Sequence, residues 1–299
     1  MHGLGVTGAL AGLPEWVALL FAILTQLADA WFIFGGLALF YLLADGRFAS
    51  EPRRAGATMI ALAICALAAT VALKTAFGVH RPAGAGTATP PTWLPALFEG
   101  VYGSIATGDG FGFPSGHATS STVVYGGLAL YLDRLWSRRD RLLAAGGVVG
   151  VVSLSRLVIG VHHLPDVLAG VVAGSAVLLA VRWFAGRQPE RAFLAAALFG
   201  AAALATSLAV APNHPDEAVK AAIALGAGGG AAVVWYRVGG EVSPLPARVG
   251  VPSAAVLGGV WGGVYAGGLS LPVTALGSAL AVGAVVALPS VVDRRGLLE

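Results

Sequence analysis

Three cations, Lys74, Arg81 and Arg156, lie close to histidines in a chain that is otherwise almost uncharged. They fall in three short stretches: Lys74 through Arg81-Pro82, then Pro114-Ser115-Gly116-His117, then Ser155-Arg156 through His162 to Asp166. One ammonium and two planar guanidinium forks suit the dianionic oxygens of a phosphate. Pro114-Ser115-Gly116, just before a helix, is expected to supply exposed backbone N–H groups and the positive end of a helix dipole. Of the two histidines, one can attack phosphorus while the other protonates the leaving oxygen. Asp166, four residues after His162, can fix that ring's tautomer and raise its basicity. This inventory requires no metal and no cofactor, because cations and dipoles can stabilise a transferring phosphoryl group.

The elements that must position these groups are hydrophobic helices. Of the 299 residues 57% are hydrophobic, 43 are glycine, and 11% are charged, against about 25% charged in an ordinary soluble domain. That composition excludes a disordered chain, a disulfide-stapled secreted domain and an ordinary soluble enzyme. A net charge of +3, spread between apolar runs, excludes a nucleic-acid partner, which needs a clustered basic face. The single cysteine, Cys65, lies in an apolar run and reads as a small core residue. Residues 1–12 contain no Lys or Arg, so a cleaved signal peptide is not expected.

Nine apolar runs reach the length of a membrane span: 27–44, 56–74, 117–132, 142–161, 165–184, 191–211, 216–236, 252–270 and 273–291. The first is preceded by apolar residues from Glu15. A single helix over 15–44 would be about 45 Å long, too long for a simple span, so an interfacial or re-entrant helix is expected first. Fourteen of the eighteen Lys and Arg residues then fall on alternate loops and the C-terminal tail. By the excess of basic residues on the cytoplasmic side, the N-terminus is outside and the C-terminus inside. The four cations left on the outer side are Lys74, Arg81, Arg156 and Lys220.

The spacing Lys74-x6-Arg81-Pro82, then Pro-Ser-Gly-His, then Ser155-Arg156-x5-His162-x3-Asp166 resembles the type 2 phosphatidic acid phosphatase (PAP2) superfamily, matching it at all eleven specified positions. The resemblance covers about 74–166 in its motifs and about 15–186 as a helical core. It implies that His162 is a nucleophile forming a phosphohistidine, Asp166 its orienting partner and His117 the general acid. It implies also that Lys74, Arg81, Ser115, Gly116 and Arg156 bind the phosphate. The fold expected is an all-α integral membrane protein, with a PAP2-like catalytic core over 1–187 and about four further transmembrane helices over 188–299.

The membrane branch of that family acts on lipid phosphates, so the expected activity is a lipid phosphatase in the plasma membrane with its site on the extracytoplasmic face. The candidate substrates are a polyprenyl diphosphate, phosphatidic acid and phosphatidylglycerophosphate, and outward orientation favours the first. The alternatives are a lipid phosphotransferase and a protein that binds or transports lipid phosphates without turnover. Asp29, with Thr25 and Gln26, either pairs with Arg81 or Lys74 or meets the head groups at a helix end. His2, His80, His163 and His214 read as neutral interfacial histidines. The long aromatic loop from Ala83 to Phe113 reads as an interfacial anchor or a cap. Glycines 226, 228–230, 258, 262, 263 and 267 fit close helix packing, within the chain or in a homo-oligomer; a lipid-handling module is the alternative.

Overall fold

The computed structural model describes residues 12–295, so His2 lies outside the described residues. The elements are α1 (Glu15–Leu24), a 3-10 turn (Thr25–Ala28), α2 (Ala30–Leu43), α3 (Pro52–Phe77), α4 (Ala96–Ala106), α5 (Gly116–Tyr131), α6 (Arg138–Val158), α7 (Leu164–Ala185), α8 (Pro189–Val210), α9 (Pro215–Val238), α10 (Ala247–Ala266) and α11 (Leu271–Arg294). Each of the nine apolar runs coincides with one of these helices to within a few residues. Among the described residues seven are long and apolar enough to cross a membrane, and α1 and the 3-10 turn with α2, bent by 46° at Asp29, are an eighth candidate, as a broken span or a re-entrant pair. The helix over the third run, α5, has 16 residues, about 24 Å at 1.5 Å per residue, short of the roughly 30 Å hydrocarbon core.

The helix α3 is the axis of the bundle. It carries alanines at 57, 61, 63, 66, 68 and 69, all buried, and a helix apolar all round belongs inside. Its small side chains let α5, α8, α9 and α2 pack directly on it. One hydrophobic core runs from Ile33 and Leu37 through α3 to Phe193 on α8, Trp235 on α9 and Val286 on α11. Residues on both sides of position 187 therefore share it. On α9, Cβ atoms at Gly226 and Gly230 would fall on the carbonyl oxygens of Ala275 and Ala279, and one at Gly228 on the backbone of Ala197. Those glycines serve packing within the chain. On α10, Gly258, Gly262 and Gly263 meet nothing within 4 Å among the described residues.

A buried arginine ties the last helices to α3 at the end opposite the histidines. Arg53 donates to the Tyr41 hydroxyl at 2.9 Å, Gly240 O at 2.6 Å, Val286 O at 3.2 Å and Ser290 Oγ at 2.8 Å. Its guanidinium also lies over the rings of Tyr41 and Trp235. The Glu241 carboxylate accepts from the backbone N–H groups of Arg53 and Arg54, satisfying the free donors in the first turn of α3.

The seam that positions the motifs is between α5 and α7. A Cβ at Gly170 would stand 2.6 Å from Ser115 O, and one at Gly174 2.7 Å from Thr119 O. Gly170→Val is therefore expected to push α5 off α7, at about 1–3 kcal/mol, with loss of activity because His117 and His162 ride on the two sides of that seam. Thermal melting in detergent with turnover checks this; an unchanged Tm would mean that the seam has slack.

The loop from Ala83 to Phe113 contains a helix that the sequence reading did not expect. Pro95 precedes α4, and Tyr102 and Ala106 pack against Ala22 of α1. Its Gly100 and Gly103, with Pro90, Pro91 and Pro95, imitate loop composition. The opposite face leaves Leu97, Phe98 and Val101 exposed, an apolar edge suited to the bilayer interface.

Candidate active site

The three motif stretches meet at one end of the bundle, and each is placed by a helix terminus. Lys74 sits in the last turn of α3, which Gly78 ends in the left-handed conformation at φ 60°. Glycine enters that region without steric penalty. The chain then turns back, so that Arg81 passes beside the turn between α6 and α7. Arg156 lies in the last turn of α6. His163 precedes α7, Pro165 occupies its first turn, and the Asp166 carboxylate accepts from His163 N at 2.8 Å, a reciprocal helix start. Ser115 opens α5.

Asp166 therefore serves two neighbours. Its Oδ2 caps α7 and also lies 3.5 Å from His162 Nδ1, ion-pair range but longer than a good hydrogen bond. On the other side of the ring, Arg81 Nη1 approaches His162 Nε2 at 3.0 Å. A guanidinium can only donate, so Nε2 carries the lone pair and Nδ1 carries the hydrogen facing Asp166. Burial, and then the charges of Arg81, Arg156 and Lys74, hold His162 well below the ordinary histidine value, so the ring is neutral. A buried neutral imidazole with its Nε2 lone pair turned toward cations is equipped to attack phosphorus.

Arg81 is held by its Nε–H to Asp109 O at 2.7 Å and by Nη1 to Val161 O at 3.1 Å. Arg156 is 3% exposed; it donates to Thr25 Oγ1 at 3.0 Å, and its Nε has no hydrogen-bond partner. A buried guanidinium with an unused donor fits an anionic ligand. Thr25 is thus the side-chain partner of Arg156, and neither of the two lines the cavity described below.

Ser115 differs from expectation. Its backbone N–H, expected to be exposed, donates to Asp166 O at 2.9 Å, and its hydroxyl accepts from Ala118 N at 3.5 Å. Fully buried, it fastens α5 to α7, while Gly116 and His117 line the open space. Asp29 also departs from the pairing considered from sequence. It faces His117, with Oδ2 3.9 Å from Nε2, rather than Arg81 or Lys74, and it caps α2 at the bend. His80 forms a bridge with Phe111, His214 packs on the Phe111 ring, and His163 starts α7. None of these three lines the cavity.

That cavity, of about 230 Å³, has two characters. Lys74, Arg81, His117, His162 and Asp29 form one end, and Ile33, Phe34, Leu67, Val71 and Val124 line the rest. Two further residues, Glu217 and Lys220 of α9, also line it. Sequence reasoning missed them as site residues, although Lys220 had already stood out as the fourth cation on the outer side.

The structure is an all-helical bundle with apolar candidate spans that encloses histidines, cations and carboxylates in one cavity. Residues 54–190 match the PAP2 superfamily. The chain is 30% identical over 119 residues to the lipid A 4'-phosphatase of Porphyromonas gingivalis, covering 40% of this chain and 45% of that protein. It is 34% identical over 79 residues to phosphatidylglycerophosphatase B of Bacillus subtilis, covering 25% of this chain and 39% of that protein. The chain thus spans less than half the length of these curated relatives. No solved structure matches it.

Proposed function

We propose that the protein is a membrane lipid phosphatase that works through a phosphohistidine and without a metal. The observation that carries this reading is the two-sided cavity: a cationic, histidine-bearing end continuous with an apolar wall on α2, α3 and α5. Such a space takes a phosphate head whose hydrocarbon tail remains in lipid. The named activities of the two relatives agree with it.

In this mechanism the substrate phosphoryl draws Arg81 from His162 Nε2 onto its own oxygens, joined there by Lys74, Arg156 and the Gly116 end of α5. Nε2 attacks phosphorus and the bond from phosphorus to the lipid oxygen breaks. Its electron pair leaves with that oxygen, which takes a proton from His117. Asp166 holds the Nδ1 hydrogen as the ring becomes cationic. Water then gives its proton to His117 and attacks phosphorus. The P–N bond breaks, the pair returns to Nε2, and inorganic phosphate departs. Asp29 Oδ2 stands 3.9 Å from His117 Nε2, and the bound phosphate, itself an anion, favours the protonated ring that must act as acid.

The site faces the extracytoplasmic side of the plasma membrane in this reading. Lys74, Arg81, Arg156 and Lys220 share that end, whereas Arg53, Arg54, Arg134 and Arg187 lie at the other, among the fourteen residues that mark the cytoplasmic face. With purified protein in detergent and EDTA, phosphate release is expected from at least one of a polyprenyl diphosphate, phosphatidic acid and phosphatidylglycerophosphate. Full activity in EDTA is expected; a strict magnesium requirement would overturn the metal-free mechanism. Release as free phosphate, rather than transfer to an added alcohol, separates the hydrolase from a phosphotransferase.

A further inference from the structure

We infer that α9, which lies outside the segment matching the superfamily, completes the site: Lys220, positioned by Glu217, binds the second phosphate of a lipid diphosphate. This rests on reading the cavity as a lipid phosphatase site, and it names the substrate class of that site.

Lys220 and Glu217 line the same cavity as Lys74, Arg81, His117 and His162. They sit one turn apart near the start of α9, with Lys220 Nζ 3.1 Å from Glu217 Oε1. Glu217 is 4% exposed, and its Oε2 has no hydrogen-bond partner. Among the described residues Glu217 is the one hydrogen-bond acceptor of Lys220, and an ammonium has three donors. A buried ion pair contributes little as a staple compared with apolar residues of similar size. A carboxylate beside an anion site is moreover unfavourable unless it holds a cation there. The pair therefore makes most sense as a fixed cation presented to a ligand.

The chemistry selects the ligand. Lys74, Arg81 and Arg156 already supply three positive charges for one transferring phosphoryl group. When a simple ester is cleaved, the leaving oxygen is neutralised by the His117 proton and needs no further cation. In a diphosphate, His162 Nε2 attacks the terminal phosphorus, and the bond from that phosphorus to the bridging oxygen breaks. The electron pair moves to the bridging oxygen, which remains on the lipid monophosphate. That oxygen takes the His117 proton as before, but the second phosphate still carries the negative charge of its other oxygens, which an alcohol lacks, and a cation beyond the first three stabilises it. Water releases the enzyme-bound phosphoryl as inorganic phosphate, so the products are lipid monophosphate and phosphate.

The test compares kcat/KM of the full-length protein, in detergent with EDTA, for a prenyl diphosphate and the prenyl monophosphate of the same chain length. Lys220→Met is expected to lower the diphosphate value about 10- to 100-fold, the range for losing a charge-assisted hydrogen bond, and the monophosphate value less than about threefold. Lys220→Arg should recover most of the loss. Because Lys220→Met leaves Glu217 buried without its cation, the double variant Lys220→Met with Glu217→Gln is measured too and should show the same selective loss. Equal losses on both lipids, or no loss on either, would overturn the inference while leaving the phosphatase reading intact. A wild-type protein that hydrolyses neither lipid, nor phosphatidic acid, nor phosphatidylglycerophosphate would remove the phosphatase reading itself.

Discussion

His162→Ala should release no phosphate above background, a loss of at least about 10⁴-fold by comparison with removing a nucleophile elsewhere. The size of the effect follows from the geometry. Among the described residues His162 is the one histidine with Asp166 on one nitrogen and Arg81 on the other, so none of the other described rings is placed to take over the attack. The substitution lies in the turn between α6 and α7 and enlarges the cavity that the ring already lines, so the variant should insert, and thermal melting checks that it stays folded. Rapid acid-free quenching of wild-type protein with labelled lipid phosphate should trap protein-bound phosphate that is stable in base and labile in acid, as a P–N bond is. The variant should trap none. Near-normal turnover in His162→Ala would remove this residue from the mechanism.

Arg81→Ala should lower kcat/KM by about 10²- to 10³-fold, or roughly 3–4 kcal/mol of transition-state stabilisation. Arg81 is asked to do two things: to bind the phosphoryl oxygens, and to fix Nε2 as the unprotonated nitrogen before substrate arrives. Lysine offers a point charge without the planar fork, so Arg81→Lys should remain at least about tenfold impaired. Steady-state kinetics on the lipid that the wild type hydrolyses checks both variants. A loss below about threefold in Arg81→Ala would reduce Arg81 to a strut between Asp109 and Val161.

The motif residues were legible because their chemistry is carried by residue type and spacing: cations, histidines and an aspartate have no apolar substitutes. The nine apolar runs were legible because each is a continuous helix. What the sequence hid was direction and partnership. The turn that sends Ser115 N–H to Asp166 O uses up a donor that composition counted as available. Asp29 stands at a bend between two short helices, and only the angle of that bend decides that it meets His117 rather than Arg81. The helix α4 was masked by its glycines and prolines, although Tyr102 and Ala106, four residues apart, share its buried face. Glu217 and Lys220 lie about a hundred residues beyond His117, and only the packing of α9 against α3 brings them to the cavity.

The cluster around Arg53 bears on how the chain is assembled as well as on how it is held. A guanidinium at 3% exposure needs acceptors, and in a bilayer its burial without them is costly. Three of its four acceptors, Gly240 O, Val286 O and Ser290 Oγ, belong to the last sixty residues of the chain, and Glu241 closes the first turn of α3 from the same region. During synthesis, then, the second apolar segment enters the membrane with only the Tyr41 hydroxyl among those four acceptors already made. The axis of the bundle is among the first elements made and, by these contacts, among the last to be fastened.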